Sequence, residues 1–378
     1  MRYFSFKGTR QFDLLIAICC GVCGVLSAIV SASGSHTASV PKRTRAQVEA
    51  MIAKVGESAP DWWGPVPLKY PDTLDLDWPI EAGGEWNNQK NVGQYIWDVI
   101  NPNPGRWKEG IKLVHHLMLR NKDDRAKVAR SMESLGAMFH NFMQDWPRAV
   151  FWWRMSMKYG QPIDQVQMAN CFWRMGCEEM ARGILEQFID DHTRNGAIIK
   201  LWADMDELDK ALSLAEQKAR SGNPNIAYLA AGNACRQAGR MAQALAYYRK
   251  AVDAKPPDEN NGDFIRARVQ AAENIAVIRT FELLDLKRTA NGRYRGTSTA
   301  FNGPLTVEVE VGAGRIASVR VTQHQEKQFY SAITETPRKI VERQSIKDID
   351  ACTGATITSE AIINAAAKAL AGRGTGGE

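Results

Sequence analysis

Ten residues near the C-terminus hold the densest chemistry of this chain: Asp350-Ala351-Cys352-Thr353-Gly354-Ala355-Thr356-Ile357-Thr358-Ser359. Hydroxyls, a carboxylate and a thiol alternate here with residues too small to crowd a ligand. They stand directly ahead of an Ala-rich helical stretch, 360–371. Thr358 and Ser359 can each cap that helix, and Gly372 can close it as a left-handed residue. A Gly-Ala turn entering a helix N-terminus suits an anion, because unpaired N–H groups and the helix dipole both face it. The plainer reading is an ordinary small-residue turn before a helix. Cys352 is either redox-active or the filling of a small apolar niche.

Strands upstream must place this loop. Asn291-Gly292 is a turn signal, and 294–301 reads as a first strand followed by the turn Asn302-Gly303-Pro304. Leu305, Val307, Val309 and Val311 then alternate with Thr306, Glu308 and Glu310, the pattern of a half-buried strand. Gly312-Ala313-Gly314 turns the chain, Ala317, Val319 and Val321 alternate along a partner strand, and a helix is expected over 336–343. Residues 290–373 therefore read as a small α+β domain with a two- or three-stranded antiparallel core, and 374–378 as a flexible tail.

This order of elements, ending in Asp350-x-x-Thr353-Gly354-Ala355-Thr356, resembles the FMN-binding domain family. Members include the C subunit of the sodium-pumping quinone reductase and the G subunit of the Rnf electron-transport complex. The resemblance implies FMN covalently joined by a phosphoester to Thr356, with Asp350, Thr353, Gly354, Ala355, Thr358 and Ser359 as the surrounding cofactor-binding residues. It also implies maturation by a Mg²⁺-dependent flavin transferase of the ApbE type, which takes FMN from FAD and recognises the motif including Asp350. Threonine is a poor nucleophile unaided, so activation falls to the transferase.

Ahead of this domain, residues 106–285 are helical in pattern and repetitive. In the clearest copy, 225–256, Gly232 and Ala244 let two helices approach, Tyr248 fills the gap, Gly239 turns the chain and Pro256 ends the second helix. Leu135-Gly136, Phe139, Ala149 and Trp153 form another copy with a one-residue insertion, and Ala169, Phe172, Gly176, Ala181 and Leu185 a third. A shortened copy carries Ala211 and Ala215. The alanines Ala149, Ala181, Ala211 and Ala244 are 32, 30 and 33 residues apart, a spacing that resembles the tetratricopeptide repeat. Residues 263–284 suit a capping helix. Such arrays serve as spacers or dock a partner on their concave face. The segment 36–105 holds a linker, a short helix at 45–55 and an irregular Trp/Pro-rich stretch expected to anchor against the helices.

The N-terminal 1–35 places Arg2, Lys7 and Arg10 before the uncharged run 14–32. Its length and flanking charge fit a membrane anchor with an exported body, and Ser31-Ala32-Ser33 also permits a cleaved leader. At 378 residues, about two or three domains are expected. A net charge of +6 without a basic block disfavours nucleic acid as a partner. Cys171, Cys177, Cys235 and Cys352 match no haem or Cys-x-x-Cys spacing, and adjacent His115 and His116 cannot share a metal on one helix face. No dinucleotide or phosphate-loop motif is present.

The expectation is thus a multidomain chain: an N-terminal signal or transmembrane helix, an all-α helical-repeat solenoid, and a small C-terminal α+β FMN-binding domain. Its function would be that of an exported, membrane-associated flavoprotein carrying electrons, an electron-transfer protein rather than an independent enzyme, with the repeats docking a redox partner. Two alternatives stand beside it: an assembly scaffold with an unflavinylated small domain, and a flavin-dependent reductase of a soluble substrate.

Overall fold

Helix pairs with small residues at their crossings build the body of the chain. The structure is a computed structural model describing residues 41–78, 84–187, 195–222, 224–255, 258, 260–326, 331–347, 349–352 and 355–372. The expected anchor or leader at 1–35, Pro256 and the tail at 374–378 lie outside these residues. No helix among the described residues is long and apolar enough to cross a membrane.

The first helix, α1 (Arg45–Glu57), starts at a capping box in which Thr44 and Gln47 exchange side-chain and backbone hydrogen bonds. It packs on the body, where Glu49 holds Arg154 through two hydrogen bonds of 2.5 and 2.8 Å. A short α2 (Val92–Tyr95) continues into a π turn, and α3 (Trp107–Arg120) follows. The irregular Trp/Pro stretch lies along α3 as expected. Lys112 on α3 donates to the carbonyls of Trp63 and Val66 while its ammonium rests over the Trp63 ring.

Hairpins come next: α4 (Arg125–Met138) with α5 (Trp146–Lys158), α6 (Gln165–Arg174) with α7 (Glu178–Leu185), α8 (Asn195–Asp204) with α9 (Leu208–Arg220), and α10 (Pro224–Gln237) with α11 (Met241–Asp253). Ala149, Ala181, Ala211 and Ala244 lie on the second helix of their hairpins and are all fully buried. Gly232 faces the Tyr248 ring so closely that a Cβ would strike it, and Gly136 faces Trp153 in the same way. The extra residue between Gly136 and Trp153 is absorbed where α4 runs into a π turn, Phe139–Met143. A π turn is how a helix takes in one added residue without losing its register. The long α12 (Gly262–Leu283) closes the array.

A three-stranded antiparallel sheet follows, β1 (Gly292–Thr299), β2 (Pro304–Gly312) and β3 (Arg315–Gln323), in that spatial order. Tyr294 pairs with Val309, and Val309 with Val319. Leu305, Val307, Val309 and Val311 turn inward and are buried, as their alternation predicts. Then come α13 (Ser331–Arg343), which starts earlier than expected, and α14 (Thr356–Ala371). At Gly296 a Cβ would run into the backbone carbonyl of Ala365, so β1 and α14 touch backbone to backbone.

From Ser39 onward the chain is one compact unit. Its α14 lies between the sheet on one side and α12 on the other. Two expectations about α14 are corrected. It begins at Thr356, so Thr358 and Ser359 sit inside its first turn and do not cap it. Gly372 has φ −70°, an ordinary negative value, so the helix ends without a left-handed residue.

Candidate functional site

Thr356 is the first residue of α14 and is half-buried. The preceding Ala355 offers no side-chain cap. The first-turn N–H groups are therefore free of any side-chain acceptor from the N-cap, at the positive end of a 16-residue helix. Among the described residues, nothing hydrogen-bonds the Thr356 hydroxyl.

The two neighbouring hydroxyls are committed instead. Ser359 Oγ accepts from the backbone N–H of Cys352 at 3.0 Å, which stitches the loop back onto its helix. Thr358 donates to Glu326 Oε2 at 2.5 Å, and the other Glu326 oxygen accepts from Asn302 N at 2.8 Å. Both hydroxyls thus shape the loop around Thr356. Ala355 is buried with Cys352 and Ala332 in a small apolar cluster, which gives the Cys352 thiol a packing role. Thr353 and Gly354 lie outside the described residues.

Asp350 is placed differently from the rest of the motif. Its carboxylate is buried against three cations: Arg174 of α6 at 2.8 Å, Lys200 of α8 at 2.9 Å and Lys339 of α13 at 3.4 Å. Lys339 also donates to the Asp350 carbonyl at 2.9 Å. Lys200 turns its ammonium to Asp204 as well, and Gln237 of α10 donates to Asp204 at 3.0 Å. Burial by itself would raise the Asp350 carboxyl, but the Arg174, Lys200 and Lys339 charges outweigh it and hold the group well below the usual carboxylate range. Burial likewise opposes the Lys200 ammonium, yet Asp204 and Asp350 raise it above an ordinary lysine. Every partner but Lys339 comes from the helical body, so the body grips the motif directly.

A second seam runs along α12. Gln270 Nε2 donates to the Ile357 carbonyl at 2.9 Å, one residue from Thr356. Asn274 and Asn364 are hydrogen-bonded, and Glu273 binds Lys368, Ser298 and Thr299. Arg236 of α10 pairs with Glu360 of α14. The partners on α6, α8, α10 and α12 were not visible in the sequence, because they stand roughly 80 to 180 residues from the loop and carry no shared motif. The i, i+4 pair Lys200/Asp204 is the one local signal. Among the described residues, no group of three or more His, Cys, Asp or Glu is arranged to hold a metal.

Residues 301–371 match the family model of the FMN-binding domain. An uncharacterized protein of Treponema pallidum (strain Nichols) is 38% identical over 82 residues, which covers 21% of this chain and 22% of that protein. The chain thus spans about a fifth of the length of that relative. No solved structure matches.

The residues present suit a flavin phosphate. A hydroxyl without a partner among the described residues stands at a helix N-terminus that lacks a side-chain cap. Close by on α12, Gln270 Oε1 and Arg266 Nε are buried and have no hydrogen-bond partner among the described residues. FMN carries hydroxyls, ring carbonyls and a ring N–H that answer such orphaned atoms. Loop, supporting strands and family match converge on one conclusion: residues 301–371 are an FMN-binding domain.

Proposed function

We propose that this chain is an electron-transfer flavoprotein whose FMN is held by a phosphoester to the Thr356 hydroxyl. The observation that carries the reading is the position of Thr356: half-buried, without a hydrogen-bond partner among the described residues, at the uncapped start of α14 within an FMN-binding domain. In the loading step the Thr356 oxygen attacks the FMN-side phosphorus of FAD. The diphosphate P–O bond breaks, AMP leaves, and the hydroxyl proton passes to a base on a transferase of the ApbE type. The resulting diester keeps one negative charge, which the α14 N-terminus stabilises. Bound FMN supplies the redox chemistry, while the chain fixes the tether and covers the loop with Glu326, Ser359 and Asp350.

In this reading the 14–32 run holds the protein at a membrane with its body exported. The helical hairpins, which resemble tetratricopeptide repeats in their Gly232–Tyr248 and Gly136–Trp153 crossings, dock the redox partner. Tethering would raise the local concentration of flavin beside that partner. Co-expression with an active transferase, then mass spectrometry of the Thr356 peptide, tests the reading. An FMN-sized increment on wild type that disappears in Thr356→Ala supports it. An unmodified Thr356, when a control domain is modified, removes it.

A further inference from the structure

The first turns of α12 carry features that the helical packing does not use. Arg266 and Gln270 lie one turn apart on the side facing the small domain: Arg266 sits over the Phe301 ring at 4.4 Å, and Gln270 binds the Ile357 carbonyl. Each keeps one buried polar atom without a hydrogen-bond partner among the described residues, a donor at Arg266 Nε and an acceptor at Gln270 Oε1. Buried polar atoms in proteins are nearly always satisfied, so two on adjacent turns call for a ligand group or for bound water. Beside them Ile265 (47% exposed), Val269 (41%) and Phe301 (39%) leave large apolar side chains at the surface. Ile265 and Val269 share one face by their i, i+4 spacing.

This surface stands next to the tether point. Val269 adjoins Gln270, whose amide touches Ile357, the neighbour of Thr356. Phe301 adjoins Asn302, which Glu326 links to Thr358. The relation between α12 and α14 is fixed along their length by Asn274–Asn364 and Glu273–Lys368. The charged groups here include Arg266, its ion-pair partner Asp263, Glu273 with its partner Lys368, and Glu326.

We infer that the start of α12 is the seat of the flavin tethered at Thr356, so that the helical body supplies part of the cofactor site from outside the FMN-binding domain. Ile265, Val269 and Phe301 cover one face of the isoalloxazine ring. Arg266 Nε–H donates to a ring carbonyl, and Gln270 Oε1 accepts from a ribityl hydroxyl or the ring N3–H. The inference rests on the covalent reading of the preceding subsection.

The test uses full-length protein loaded by co-expressed transferase, with FMN at Thr356 verified by mass. The readout is quenching of flavin fluorescence by iodide, compared with an FMN-threonine peptide. In wild type the quenching constant is expected to be about threefold below the peptide's, as for a ligand whose surface is mostly covered. Val269→Ser and Ile265→Ser, at exposed positions that a polar side chain tolerates, should raise it towards the peptide value with the FMN mass unchanged. Leu119→Ser, an exposed apolar residue on α3, should leave it unchanged. Wild-type quenching equal to the peptide's, or no response to the α12 substitutions, overturns the seat while the covalent reading stands. Absence of FMN from Thr356 overturns both.

Discussion

The Lys200 ammonium on α8 lies 2.9 Å from Asp350 Oδ1, joining residues 150 positions apart across the boundary between helical body and FMN-binding domain. With Arg174 and Lys339 on the same carboxylate, Asp350 is an internal anchor: its side chain is 10% exposed. Removing one partner of a buried ion pair leaves an uncompensated charge, which is costlier than replacing the pair. Lys200→Met is therefore expected to destabilise the protein by about 3 kcal/mol, the lower end for such losses because two cations remain. Adding Asp350→Asn should recover part of that loss in a double-mutant cycle read by urea denaturation.

The same cluster sets a pH dependence. The Asp350 pKa is depressed in the folded state, so its contribution is complete above about pH 4 and is lost as pH falls towards the folded value. The Lys200 pKa is raised, so its contribution is present below about pH 10.4 and is lost as pH rises through the folded value. Asp350→Asn should flatten the acid limb of the denaturation midpoint below about pH 4, and a limb unchanged in that variant would contradict the assignment.

His115 governs a milder window. Half-buried and edge-on to Trp63 and Trp152, its imidazole is pushed down to about 4, first by loss of solvent and then by the neighbouring His116. Protonation favours the unfolded chain, so stability is complete above about pH 6.5 and falls between there and about pH 4, by roughly 3 kcal/mol in all. His115→Gln should remove that slope between pH 6.5 and 4 in thermal scans at stepped pH.

Two glycines separate flexible from rigid neighbours. At Gly232 an added Cβ meets the Tyr248 ring, which can shift, so Gly232→Ala should cost about 1–3 kcal/mol. Combining it with Tyr248→Leu should relieve part of that cost. At Gly296 the Cβ meets the Ala365 carbonyl and Ala369 N–H, which belong to helix backbone. Gly296→Ala should cost more than Gly232→Ala in the same denaturation assay, and no side-chain truncation should rescue it.

Much of this was legible because it is local or periodic. The alternation from Leu305 to Val311 specified a strand with one buried face, and the recurring alanines marked the second helix of each hairpin. The one-residue excess between Gly136 and Trp153 was visible too, although its accommodation by a π turn was not. The start of α14 was misread because Thr358 and Ser359 look like caps, whereas tertiary partners, Glu326 and Cys352 N, engage them inside the first turn. Asp350 was read as a feature of its own loop. Two of its partners, Arg174 of α6 and Lys200 of α8, stand 176 and 150 residues away, and no sequence pattern links a carboxylate to cations at that distance.

The burial of α14 has a consequence for dissecting this protein. Ala361, Ile362, Ala365, Ala366 and Ala367 are fully covered, and so is Asn364. That cover comes from the sheet and α13 together with α12 and, through Arg236, α10. The helix is a party wall between two rooms. Cutting the chain between α12 and β1 would leave one fragment with an exposed Ala-rich flank and the other with an unmatched socket. Mixed in solution, the two pieces should find each other again.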